Sequence, residues 1–66
     1  MERNLRLDWQ GLVEEAVRRR KEQRLSQKKL AVLAGVSGPT VNAFEQQRTS
    51  ITLDSALKIF RCLGMG

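Results

Sequence analysis

With 66 residues, 41% of them hydrophobic, the chain has the makings of one small globular domain, and none of its apolar runs approaches the length of a membrane span. One cysteine, no histidine and no tyrosine exclude an internal disulfide and a Cys/His metal site within one chain, and they leave little for acid–base or nucleophilic catalysis, so neither an enzyme nor a cofactor is expected. Twelve Lys and Arg against seven Asp and Glu, a net charge of +5, imply a polyanionic partner, either nucleic acid or an acidic membrane surface.

The opening MERNLRLDWQ is too charged for a signal peptide, so a cytoplasmic protein is expected. Residues 1–7 read as a loose arm, and residues 8–66 as a single domain. Asp8 is the predicted cap of a first helix running to about Arg24, its carboxylate accepting backbone N–H groups. Trp9, Val13, Ala16, Val17 and Arg20 recur at helical spacing along that helix, with Leu12 beside them. Glu14 and Glu15 stand four residues before Arg18 and Arg19, the spacing of helix ion pairs.

Ser26 caps a second helix of about two turns, with Leu30, Leu33 and Ala34 on its apolar face and Gly35 at its end. Ser37 caps a third, Gly38 to Glu45. Pro39 is tolerated in its first turn, where its missing N–H has no intrahelical partner to lose. After the polar loop QQRTS, Thr52 caps a fourth helix with the stripe Leu53, Ala56, Leu57, Phe60 and Leu63, and Gly64 closes it. Ile59, Cys62 and Met65 lie off that stripe, which leaves them for a dimer seam or for residues beyond this chain. The chain is therefore all-α.

The informative stretch is Leu25 to Glu45. Two short helices joined by a glycine-containing turn make a helix-turn-helix at about residues 26–46, whose steep crossing imposes particular residues. Ala31 is small where the helices cross, Gly35 allows the turn, Val36 plugs the gap, and Val41 and Phe44 face the core.

Leu25-Ser26-Gln27, Leu30-Ala31, Gly35-Val36-Ser37, Thr40-Val41 and Phe44-Glu45 resemble the Cro/phage-repressor (XRE-type) helix-turn-helix family. The likeness extends over about residues 9–63. The run from TVNAFE to LKIFRCLGM looks most like the HipB-type antitoxins and small phage-like repressors. It implies a compact, lambda-repressor-like bundle of four to five helices that binds double-stranded DNA as a homodimer. The third helix would then lie in the major groove, and neither a membrane nor a cofactor is needed. Its activity would be transcriptional regulation, most simply repression, on the nucleoid in the cytoplasm.

By that resemblance Gly38, Pro39, Thr40, Asn42 and Ala43 occupy base-facing positions, and Gln27 contacts phosphate while bracing the recognition helix. Lys28 beside Gln27, Ser37 at the start of the third helix and Arg48 after its end complete the expected phosphate contacts. Arg3 and Arg6 on the arm are placed to reach a neighbouring minor groove. Family members often carry Gln, Lys or Arg at the Gly38 and Pro39 positions, and this chain does not. Thr40 and Asn42 keep polar groups, and Ala43 is suited to a thymine methyl. Fewer direct base contacts are expected, with more of the recognition coming from phosphate geometry and DNA shape.

Plainer readings accompany these. The basic run 18–21 also reads as a solvated helix face, with Arg18 and Arg19 paired to glutamates, and Gln27, Thr40 and Asn42 as ordinary exposed polar residues. Glu45 reads as a structural partner, because its charge repels phosphate, and Cys62 as a small apolar residue. Trp9, Phe44 and Phe60 are expected in the core. Two other functions fit the same pattern. One is an antitoxin-type autoregulator that also binds a toxin partner. The other is a protein-bridging module that uses the fold without reading DNA.

Overall fold

Hydroxyl caps start three of the four helices in the computed structural model, which describes residues 8–65. The helices are α1 (Trp9–Glu22), α2 (Gln27–Ala34), α3 (Gly38–Glu45) and α4 (Leu53–Cys62), and no strand occurs among the described residues. Ser26 Oγ accepts the Lys29 N–H at 3.0 Å, Ser37 Oγ the Thr40 N–H at 3.1 Å, and Thr52 Oγ1 the Ser55 N–H at 3.0 Å. Each such cap contributes about 1 kcal/mol. The expected arm, residues 1–7 with Arg3 and Arg6, lies outside the described residues.

Asp8 departs from expectation. It occupies the cap position of α1, but its carboxylate accepts no cap bond. The carboxylate lies instead against Gly11, where an added Cβ would stand 3.2 Å from Oδ2. The helix also stops at Glu22 rather than Arg24. Arg24 turns left-handed with φ 59°, and the Leu25 N–H returns to the Arg20 carbonyl at 3.0 Å.

At the end of α2, Gly35 has φ 78°, and the amides of Gly35 and Val36 both donate to the Ala31 carbonyl. A Cβ at Gly35 would meet nothing within 4 Å. The demand for glycine there comes from the backbone angle alone.

The core joins all four helices. Val13 and Ala16 of α1, Leu30 and Ala31 of α2, Val41 and Phe44 of α3, and Ala56 and Ile59 of α4 are buried, as is Leu63 just beyond α4. Trp9, Phe44 and Phe60 meet edge to face with ring centroids 5.6–6.3 Å apart, the geometry aromatic quadrupoles prefer.

Two expected faces are rotated. Leu33 is 54% exposed, and Ala31 takes the inner position that its small size suits at the α2–α3 crossing. On α4, Leu53 is 73% and Leu57 37% exposed, while Ile59 is fully buried. The inner stripe is Ala56, Ile59, Phe60 and Leu63, with Cys62 and Met65 packed against the core. Of the residues expected to lie free for a seam, Ile59 is therefore taken up by the core, and Cys62 and Met65 are half-buried against it. Arg19 Nη1 donates to the carbonyls of Leu63 and Gly64, tying α1 to the end of α4.

Candidate nucleic-acid interface

The outer face of α3 follows from its inner one. Val41 and Phe44 are fully buried, so at 100° per residue the opposite side carries Pro39, Asn42, Ala43 and Gln46. Pro39 and Asn42 are exposed, and Gly38, Thr40 and Ala43 are half-buried along the edge. Space around Gly38 is open, with nothing within 4 Å of a Cβ built there. The Thr40 hydroxyl is hydrogen-bonded to Ser37 Oγ at 2.7 Å. Gln46, the first residue of the expected polar loop and the C-cap of α3, is exposed one turn beyond Asn42 and adjoins this face. Its i, i+4 spacing from Asn42 was the available signal.

Behind that face lies a polar brace. Glu45 accepts from Arg20 Nε at 2.6 Å and Nη2 at 3.1 Å, and from Gln27 Nε2 at 2.9 Å. Arg20 Nη1 also donates to the Leu25 carbonyl at 2.6 Å. The Arg20 and Glu45 side chains are only 12% and 10% exposed, which shields the bidentate pair from water. One carboxylate thus ties α1 and the start of α2 to the end of α3, and it faces away from the outer surface. Gln27 does brace α3, as the resemblance implied. One of its two amide hydrogens remains for an outside acceptor.

The remaining predicted phosphate contacts, Lys28, Ser37 and Arg48, are all exposed. Ser37 Oγ is already engaged as the cap of α3. Arg48 follows Gln47, whose φ of 64° turns the chain sharply after α3. On α1, Arg18 pairs with Glu15 and Glu22, and Arg19 with Glu15. The expected Glu14–Arg18 pair does not form; Glu14 accepts from Gln10 instead, and Arg18 donates to Glu15 and Glu22. The hydrogen bonds from Arg18, and then from Arg19, hold the Glu15 carboxyl below the usual carboxylate range. Lys58 pairs with Asp54. Among the described residues, Lys21, Arg24, Lys28, Lys29, Arg48 and Arg61 have no acidic partner. Four of these six fall between the end of α1 and the first turn of α2.

No group of three or more His, Cys, Asp or Glu among the described residues is placed to hold a metal ion, and no helix there is long and apolar enough to cross a membrane. A family model described as helix-turn-helix matches residues 18–66, well over half of the chain. No curated protein matches it.

Proposed function

The chain belongs to the Cro/C1-type (XRE) helix-turn-helix family of DNA-binding transcriptional regulators, with the lambda-repressor-like fold, and from that premise we propose that it is a repressor. It binds a two-fold related operator as a homodimer, with α3 in the major groove and half-sites about one helical turn apart. Its place of action is the nucleoid in the cytoplasm. The observation that carries the reading is the outer face of α3. Pro39, Asn42, Ala43 and Gln46 are all uncharged, and the helix's one acid, Glu45, is turned away into Arg20.

Gly38, Pro39, Thr40, Asn42 and Ala43 face the bases, and Gln27, Lys28, Ser37 and Arg48 meet the phosphates. Selection of bound duplexes from a random pool tests this, with a palindromic site as the expected product. Replacing Gln27, Lys28 or Arg48 with Ala weakens binding on every sequence, whereas Asn42→Ala changes which sequence is preferred. Failure to bind any duplex at low salt sinks the proposal and favours a protein-bridging role. Sedimentation at tens of micromolar tests the dimer, to which buried Ile59 contributes no seam.

A second reading has its own observation. Val32, Leu33 and Leu53 are more than half exposed, which suits a protein partner such as the toxin of an autoregulating antitoxin. Co-purification of a second chain from the native host is the outcome that favours it.

A further inference from the structure

The outer side of α3 borders a recess of about 320 Å³ whose walls include Pro39, Thr40, Ala43 and Ile51. No charged residue lines it among the described residues. Hydroxyls are present, but most are engaged with one another. That of Thr40 is bonded to Ser37 Oγ, and Thr52 Oγ1 accepts the Ser55 N–H while donating to Ser55 Oγ at 3.0 Å. The Ser50 hydroxyl also lines the recess and is not engaged in this way, whereas Pro39, Ala43, Ile51 and the Thr40 methyl present carbon. The two positions that open the helix, Gly38 and Pro39, carry no side-chain donor or acceptor at all.

A major groove offers hydrogen-bonding edges on every base pair, but it offers one exposed apolar group, the 5-methyl of thymine. We infer that α3 reads thymine methyl groups, each seated against Pro39, Thr40, Ala43 and Ile51 in the recess, in place of bidentate hydrogen bonds from long side chains. This rests on α3 lying in the major groove, as proposed above. Charge supports the same occupant, because Lys28 and Arg48 have no acidic partner among the described residues while those lining the recess are neutral. The phosphates meet cations, and the methyl meets carbon. Gly38 adds to this by letting the start of the helix approach the base edges, since it has no side chain to hold it off, and the compact Pro39 ring presents only carbon.

The test compares an alternating dA–dT duplex with the matching dA–dU duplex, which differs only in the methyl groups. The unmodified protein binds the thymine duplex more tightly, by roughly the fourfold factor that burying one methyl group supplies. Thr40→Ser keeps the hydroxyl bonded to Ser37 but deletes the methyl wall, and it brings the ratio toward one. Thr40→Val keeps the wall and removes the hydroxyl, and it retains the preference. Equal binding of the two duplexes by the unmodified protein overturns the inference and leaves the proposed function standing. A preference lost in Thr40→Val but kept in Thr40→Ser also overturns it, because the hydroxyl would then be the reader. Binding of neither duplex at low salt removes the proposed function, and the inference with it.

Discussion

At Glu45 one carboxylate accepts from Arg20 and Gln27, so a single side chain holds three helices in register. Glu45→Ala leaves the Arg20 guanidinium without its partner in a site only about a tenth exposed. It is expected to cost about 3 kcal/mol, the low end for breaking a buried pair. A domain of this size has about 3–5 kcal/mol in all, which leaves about 0–2 kcal/mol, so urea denaturation should find the variant's midpoint moved close to zero denaturant. Two glycines make the contrasting case, because both have open space and only one has an unusual backbone angle. Gly38→Ala should raise stability by about 0.5 kcal/mol, since the unfolded chain loses freedom and the folded chain meets no clash. Gly35→Ala should lower it by about 1–2 kcal/mol, because φ at 78° brings Cβ against the backbone. Thermal melting of both variants distinguishes angle from space. If both are stabilised, the left-handed turn is not what requires glycine.

Among the elements, α4 shows where periodicity runs out. Leu53, Ala56, Leu57, Ile59, Phe60, Cys62 and Leu63 place apolar groups around most of the helix, so more than one stripe has proper spacing. Which stripe faces inward depends on α2 and α3, many residues away. Ile59→Ala should cost about 2–4 kcal/mol by opening a cavity, while Leu53→Ser should change stability by less than about 0.5 kcal/mol. Equal effects in chemical denaturation would contradict the observed rotation. The same ambiguity placed Leu33 inside, because α2 is apolar from Leu30 to Ala34. On α1, the lowered Glu15 carboxyl carries a pH signature. Its folded value lies below its unfolded one, so the contribution is complete at neutral pH and is lost as pH falls through the folded value. The pairs are exposed and the effect small. Glu15→Gln should flatten the acid side of the melting-temperature profile and leave the alkaline side unchanged.

For the whole molecule, the net charge of +5 matters less than which cations lack partners. Arg18, Arg19, Arg20 and Lys58 are paired, leaving Lys21, Arg24, Lys28, Lys29, Arg48 and Arg61 among the described residues. The logarithm of DNA affinity should therefore fall linearly with log salt, at about 0.9 per phosphate neutralised. Arg48→Ala should reduce that slope by about one, whereas Arg18→Ala should leave it unchanged because Arg18 is held by Glu15 and Glu22. Filter binding over a salt series reads both slopes. A loss of slope in Arg18→Ala would mean that DNA draws the guanidinium out of its ion pairs.

The amino-acid order alone determined four helices, three of their caps, the glycine turn after α2 and, Leu33 apart, the inward residues of the helix-turn-helix. Those features depend on φ preferences and on a hydroxyl reaching an amide three residues ahead, so they are settled within a few positions. The partner of Glu45, the burial of Ile59, the exposure of Leu33 and Leu53 and the recess beside α3 were decided by packing. Each depends on side chains brought together from distant segments, as with Arg20 and Glu45, 25 residues apart, whose separation in space no local rule reports.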